Sequence, residues 1–335
     1  MKEKLKKISV LGAGSWGTTL AIILSENRNL RITLWSVFEE QVKKILITRE
    51  NKDFLPSVKI PLKIEVTSNL KIGLDSELLI LAIPVQYLRS ILRKIKKESL
   101  NLKEKIFLTT AKGVEIDTFK TPTQIIKEEL KVKKIAVLSG PTIAKEVIKG
   151  LPTVATVASK DEEISLAIQN IFKSTNLRIY RSQDIKGVEL AGALKNIIAI
   201  ACGVADGLGL GINAKASLVV RGIVEIVRLA KKLGAQPETF WGISGLGDLV
   251  TTCFSSYSRN RFVGQEIGKG KKLKDILKKM KMVAEGVTTV KAIYKLSKRL
   301  KIDMPITKEV YLLLYKDKNP FQAVRDLTKR PFKSE

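Results

Sequence analysis

Leu11-Gly12-Ala13-Gly14-Ser15-Trp16-Gly17-Thr18-Thr19-Leu20-Ala21 is the stretch that decides the fold. Residues 12–17 match GxGxxG, a spacing that is weak evidence when it stands alone. Its surroundings give it meaning. Lys7–Leu11 ahead of it is an apolar strand candidate, Thr18–Ser25 behind it reads as a helix, and a second strand candidate follows at Arg31–Trp35. In such a strand–turn–helix unit Gly12 permits the tight turn, Gly14 lets the main chain approach a pyrophosphate, and Gly17 lets helix and strand pack closely. The helix N-terminus adds amides and the positive end of its dipole. A glycine-rich turn without a ligand is the bland alternative, and it leaves the flanking strand and helix unexplained.

The same alternation continues outward. Leu78–Ile83, Ile106–Thr110, Ile135–Leu138, Thr153–Ala158 and Leu177–Tyr180 are short runs of Val, Ile and Leu with little polar alternation, as in strands buried on both faces. Amphipathic helical stretches separate them. Residues 1–184 are therefore predicted to form a doubly wound, mostly parallel Rossmann-type α/β domain. Beyond Asp184 the strand signal stops, and residues 185–335 are predicted to form an all-α domain that binds substrate and carries the chemistry. Its helices are Ile185–Ala205, Asn213–Leu233 (stopped by Gly234), Leu273–Met280, Thr288–Leu300 and Lys308–Tyr315, the last with Pro305 ahead of it and Thr307 as its cap. Glycines 203, 207, 209 and 211 read as a loop between the first two.

Composition narrows the chemistry. The chain has 335 residues, enough for two domains, and 44% of them are hydrophobic. It contains no histidine, which excludes Ser-His-Asp triads, Cys-His pairs and proton shuttling through imidazole. Cys202 and Cys253 have no CxxC partner, so neither a disulfide framework nor a metal site is expected. The most apolar segments, Leu78–Val85 and Asn196–Ala205, are too short to cross a bilayer, and the N-terminus lacks a signal core; a cytoplasmic location is the expectation. The formal charge of +27 comes from lysines scattered over amphipathic segments, such as Lys94, Lys96 and Lys97, or Lys271, Lys272 and Lys274. That pattern reads as a solvated surface without a specific nucleic-acid partner.

The end of the second strand normally reveals the cofactor, through an acid for a ribose 2′-hydroxyl or an arginine for a 2′-phosphate. Here it runs Leu34-Trp35-Ser36-Val37-Phe38, with Glu39, Glu40, Lys43 and Lys44 out of register. NAD and NADP both remain open.

Lys195 is the only charged residue between Leu190 and Ala205. A lysine on a buried helix is costly unless paired, and burial moves its pKa toward neutrality, which suits a proton donor to a nascent alkoxide. Snorkelling from the helix edge is the competing reading. Asn196 beside it adds a second polar interruption. In Gly245-Leu246-Gly247-Asp248, the aspartate either pairs with Lys195 or caps a helix. Ser258-Arg259-Asn260-Arg261 is either a phosphate-binding quartet or a surface turn. Lys112-Gly113 and Ser139-Gly140-Pro141-Thr142 each follow a buried strand, where ligands sit in open α/β sheets.

Together the ordered motifs LGAGSWGTTLA (from Leu11), AKGVE (Ala111), LSGPTIAKE (Leu138), GVELAGALKNIIAIACGVADGLGLG (Gly187), GLGDLVTTC (Gly245), SRNR (Ser258) and VAEGVTT (Val283) resemble the NAD(P)-dependent glycerol-3-phosphate dehydrogenases of bacterial type, through nearly the whole chain. The resemblance implies reversible reduction of dihydroxyacetone phosphate to sn-glycerol 3-phosphate, feeding glycerophospholipid synthesis. It implies cofactor contacts from Ser15, Trp16, Ala144, Val283 and Glu285, with Lys112 and Arg259 touching cofactor and substrate alike. Lys195 would move the proton, supported by Asp248, with Asn196 and Thr252 close by. Gly140 and Thr142 would line the substrate pocket, and Ser258, Arg259 and Asn260 would hold the phosphate. Where relatives often carry a basic residue this chain has Val37 and Phe38, so the resemblance implies no NADP preference. Two readings compete: a dehydrogenase of similar architecture for an unphosphorylated 3-hydroxy acid, and a basic nucleic-acid binder that keeps a Rossmann shell. The motif set is compatible with a homodimer and does not establish one.

Overall fold

The computed structural model describes residues 5–98, 101–280 and 282–331. Among them are ten strands: β1 (Lys7–Leu11), β2 (Arg31–Trp35), β3 (Glu50–Asn51), β4 (Leu55–Lys59), β5 (Glu65–Thr67), β6 (Leu78–Leu81), β7 (Ile106–Thr109), β8 (Ile135–Ser139), β9 (Thr153–Ala158) and β10 (Leu177–Ser182). Eight form one sheet in the order β10-β9-β8-β7-β6-β1-β2-β5, and β3 pairs with β4 in a separate two-stranded sheet. Neighbours in the large sheet run parallel except at β8–β9. The central strands β6, β7 and β8 are buried at every position, so their unbroken apolar runs follow from helices covering both faces. The chain passes from β1 to its neighbour β2 on one side and reaches its other neighbour, β6, only later. This is the topological switch point where α/β sheets bind ligands.

The chain divides into two compact units, one holding the segment through Lys112 together with Lys120–Glu189, the other Gly113–Phe119 and everything from Leu190 onward. The division thus falls inside a helix, Ile185–Gly207, rather than at its start. Local contacts explain this. The Glu189 carboxylate accepts hydrogen bonds from Thr121 Oγ1 (2.6 Å), Thr123 N (2.7 Å) and Thr123 Oγ1 (2.6 Å), which keeps it with the first unit. Val114, by contrast, is buried in the core of the second unit.

The second unit is helical, and several sequence expectations are corrected there. Helix Ile185–Gly207 has 23 residues and a mean hydropathy of 1.6 over its most apolar window. By length and composition it could cross a bilayer, contrary to expectation, yet that window is wholly buried inside the protein. Gly203 and Gly207 are not loop residues. They lie in this helix, where a Cβ on Gly203 would stand 2.0 Å from the Arg261 carbonyl oxygen and one on Gly207 2.3 Å from that of Gln265. From helix Arg259–Gly268, Gly264 faces the Ile200 carbonyl and Gly268 faces Val204 and Gly207, so the two backbones touch where side chains would separate them. Thr307 caps nothing: helix Pro305–Tyr315 begins after Met304, and the Glu225 carboxylate accepts from Ile306 N and Thr307 N, both at 2.9 Å.

Candidate functional site

In the first unit each fingerprint glycine has a physical reason. Gly12 sits at φ +116°, and a Cβ there would lie 2.4 Å from the Ala82 carbonyl oxygen just beyond β6. Around Gly14 a Cβ would meet nothing within 4 Å, so no protein atom requires glycine there; an approaching ligand would. A Cβ on Gly17 would come within 1.9 Å of the Gly12 carbonyl oxygen. Helix Ser15–Ser25 has Gly14 at its N-cap with no side-chain cap, leaving its first amides for an anion. A dinucleotide's pyrophosphate fits this cradle. Ser15 and Trp16 stand in that first turn.

Lys112, just beyond β7, donates from Nζ to the Gly140 carbonyl oxygen at 2.7 Å and to Thr142 Oγ1 at 3.3 Å. Gly140, beyond β8, is held at φ +146°, with its Cβ position 2.8 Å from Ala155 Cα. Thr142 donates to the same carbonyl at 3.1 Å, and Ala144 opens the short helix that follows. The two strand-end segments are therefore joined through one ammonium.

In the second unit Lys195 is buried, its side chain 6% exposed, so it does not snorkel. Its Nζ lies 2.5 Å from Asp248 Oδ1 and 2.6 Å from Thr252 Oγ1. Thr252 donates its own hydroxyl hydrogen to the Asp248 carbonyl at 2.7 Å, which leaves a lone pair turned to the ammonium. Asp248 is the first residue of helix Asp248–Phe254, behind Gly247, and is not the cap. A widened turn precedes it, closed by Gly247 N to the Gly242 carbonyl at 3.2 Å.

Next to Lys195, Asn196 Oδ1 accepts from Asn260 Nδ2 at 2.9 Å, and Asn260 Oδ1 accepts from Gly286 N at 3.0 Å. Gly286 was invisible to sequence reasoning because it contributes a backbone amide. Ser258 caps helix Arg259–Gly268 by accepting from Arg261 N at 3.2 Å, so its hydroxyl hydrogen remains available to a ligand. The SRNR quartet separates into two roles. Arg261 is structural, with Nε 2.5 Å from Asp206 Oδ2 and one terminal nitrogen 3.4 Å from the Ser255 carbonyl. Arg259 is exposed and makes no hydrogen bond or ion pair among the described residues. Surrounding protein lowers its pKa and the Glu285 carboxylate opposes that shift, but a guanidinium stays charged throughout. Arg259 therefore offers a cation at a helix N-terminus. Glu285 begins helix Glu285–Arg299, and Val283 lies two residues before it.

Val37 and Phe38, beyond β2, are 42% and 65% exposed, and Lys43 is paired with Glu40 at 3.0 Å. Neither Val37 nor Phe38 offers a cation to a 2′-phosphate.

Residues 7–165 match the N-terminal part of the NAD-dependent glycerol-3-phosphate dehydrogenase family and residues 184–325 its C-terminal part. The chain is 45% identical over 332 residues to a glycerol-3-phosphate dehydrogenase [NAD(P)+] from Syntrophotalea carbinolica, covering 98% of this chain and 99% of that one. It is 46% identical over 330 residues to one from a Thermoanaerobacter species, covering 98% of each. The solved glycerol-3-phosphate dehydrogenase of Coxiella burnetii superposes with a TM-score of 0.92 at 33% identity, over 97% of this chain and 99% of that one. A D-mandelate dehydrogenase superposes at 0.62 with 14% identity, a likeness of fold alone.

Proposed function

The chain belongs to the NAD-dependent glycerol-3-phosphate dehydrogenase family, and from that premise we propose how its residues carry the reaction. It is an oxidoreductase that interconverts dihydroxyacetone phosphate and sn-glycerol 3-phosphate with NAD or NADP. When bound, the nicotinamide supplies or accepts the hydride at the substrate's central carbon. The observation that carries our assignment of roles is the buried Lys195–Asp248–Thr252 constellation in a protein without histidine.

Lys195 gives its proton to the carbonyl oxygen during reduction and takes one during oxidation. Asp248 and Thr252 aim the ammonium, which donates the proton to the substrate oxygen. Asn196 lines the substrate's polar end, while Ser258, Arg259 and Asn260 hold its phosphate at the N-terminus of helix Arg259–Gly268. Lys112, Gly140 and Thr142 complete the substrate contacts. Gly12, Gly14, Ser15, Trp16 and Gly17 bind the dinucleotide, with Lys112, Ala144, Arg259, Val283 and Glu285 as further contacts. The first compact unit acts as the dinucleotide domain and the second as the substrate domain. A cytoplasmic site of action and a lysine surface without specific nucleic-acid affinity belong to the same proposal.

The test is substrate discrimination. Binding energy at the remote phosphate helps place the carbonyl, so dihydroxyacetone should be poorer than its phosphate by at least ~10³ in kcat/KM, or about 4 kcal/mol. Arg259→Ala should shrink that ratio, mainly by weakening the phosphorylated substrate, with NADH affinity measured in the same variant. An unchanged ratio would remove Arg259 from the phosphate site.

A further inference from the structure

The GxGxxG turn has a weak point that its glycines create. Gly14 lacks a Cβ, so the peptide plane between Ala13 and Gly14 can rotate at little steric cost. Because that peptide is planar and trans, the direction of the Ala13 carbonyl sets the opposite direction of the Gly14 N–H. Rotation would therefore turn a carbonyl oxygen toward a bound pyrophosphate in place of an amide.

Two side chains from distant segments hold this carbonyl. Asn51, in β3, donates from Nδ2 to the Ala13 oxygen at 2.8 Å and to Thr18 Oγ1 at 2.8 Å. Gln41, in helix Glu39–Thr48, donates from Nε2 to the same oxygen at 2.8 Å and to Asn51 Oδ1 at 3.2 Å. The chain of bonds continues to the end of β2. Ser36 donates to Gln41 Oε1 at 2.6 Å and accepts from Phe38 N at 3.2 Å. Asn51, Thr18 and Ser36 are buried, with exposures of 2%, 0% and 3%, so water does not compete for these groups. The carbonyl's two lone pairs are both engaged, by donors that are themselves fixed.

We propose that Asn51 and Gln41 are positioning residues for the cofactor: they lock the Ala13–Gly14 peptide with its carbonyl turned into the protein. The pyrophosphate then meets amides that are already oriented. Gln41 also ties this loop to the Ser36–Phe38 turn at the end of β2, where the adenosine ribose is read in folds of this type. Each acts, in this proposal, through the Ala13 carbonyl.

The proposal predicts a loss confined to binding of the dinucleotide. Asn51→Leu and Gln41→Met, made in the full chain, each remove the donors while keeping volume. We expect the Kd for NADH, from fluorescence titration, to rise at least about tenfold in each variant. At saturating NADH, kcat and the KM for dihydroxyacetone phosphate should stay within about twofold of the wild type. ADP, which carries the pyrophosphate, should weaken by a factor similar to NADH, while adenosine should not. The double variant should lose less than the product of the single losses, because both donors serve one acceptor. Gln41→Glu should bind NADH no better than Gln41→Met, since a carboxylate cannot donate to the carbonyl. Gln41 is only half-buried, so Gln41→Met keeps the test open if Asn51→Leu does not fold. An NADH Kd unchanged in folded Gln41→Met would overturn the proposal. So would a fall in kcat with Kd unaltered, or equal weakening of ADP and adenosine.

Discussion

At the scale of the residue, the buried Lys195–Asp248 ion pair couples stability to the chemistry we propose for it. Asp248 is 2% exposed on its side chain, so removing the ammonium leaves a buried carboxylate that water cannot reach. Lys195→Met should therefore cost about 3–5 kcal/mol of stability as well as reducing turnover below a few per cent. Adding Asp248→Asn should recover much of that stability and none of the activity. Denaturant melts and NADH oxidation on both variants check this, and appreciable turnover in either would return the proton to another group. Cofactor choice is also decided by single residues. With Val37 and Phe38 in the turn after β2 and Lys43 held by Glu40, any preference for NADPH over NADH should stay below about tenfold, or ~1.4 kcal/mol. A thousandfold preference in initial rates would mean that another cation reads the 2′-phosphate. Lys195 was legible in the sequence because a lone charge in an apolar run has few benign explanations. Asn51 was not, since its partner is a backbone carbonyl 38 positions earlier and nothing in its own neighbourhood records that.

At the scale of the element, the glycines of this chain separate into those that serve packing and those that serve a ligand. Gly264→Ala would place a Cβ 2.0 Å from the Ile200 carbonyl oxygen, so helices Ile185–Gly207 and Arg259–Gly268 would have to move apart. These helices carry Asn196 and Asn260, whose 2.9 Å hydrogen bond depends on their spacing. The substitution should cost at least ~2 kcal/mol and raise the KM for dihydroxyacetone phosphate. Gly14→Ala, which meets no protein atom within 4 Å, should leave thermal stability unchanged and weaken NADH binding alone. If both variants melted like the wild type, the close crossing would not be doing structural work. The same helices show where reading by element fails. Gly203 and Gly207 carry the signal of a loop and of a close helix contact equally, and only the facing Gly264 and Gly268 decide between them. Apolar strands such as β1 and β9 were read to the residue because both faces are buried. β5 escaped notice because its three residues bury only one.

At the scale of the whole molecule, two buried carboxylates tie folding to pH, although they stand in different units. Burial pushes Glu189 up to about 7 against the opposing hydrogen bonds from Thr121 and Thr123. Burial likewise raises Glu225 to about 7, against the amides of Thr307 and Ile306. In the unfolded chain both would titrate near the ordinary glutamate value of about 4.3. Between that pH and about 7 the native state holds protons that the unfolded chain has released, so stability falls as pH rises. The contribution is fully present below the unfolded pKa and is lost as pH passes through the folded one. Each group carries at most about 4 kcal/mol across this window. The net charge of +27 acts in the opposite direction, because further protonation increases self-repulsion, and added salt screens that effect. Melting measured from pH 5 to 8 at constant, moderately high ionic strength should therefore show a higher Tm at the acid end. Glu189→Gln/Glu225→Gln keeps most of the shape without the titration, and its Tm should be nearly flat over the same range. Either single variant should remove about half of the slope, since the two carboxylates lie in separate units and share no partner. A slope that survived unchanged in the double variant would show that both carboxylates remain ionised in the folded protein, with their hydrogen bonds outweighing burial.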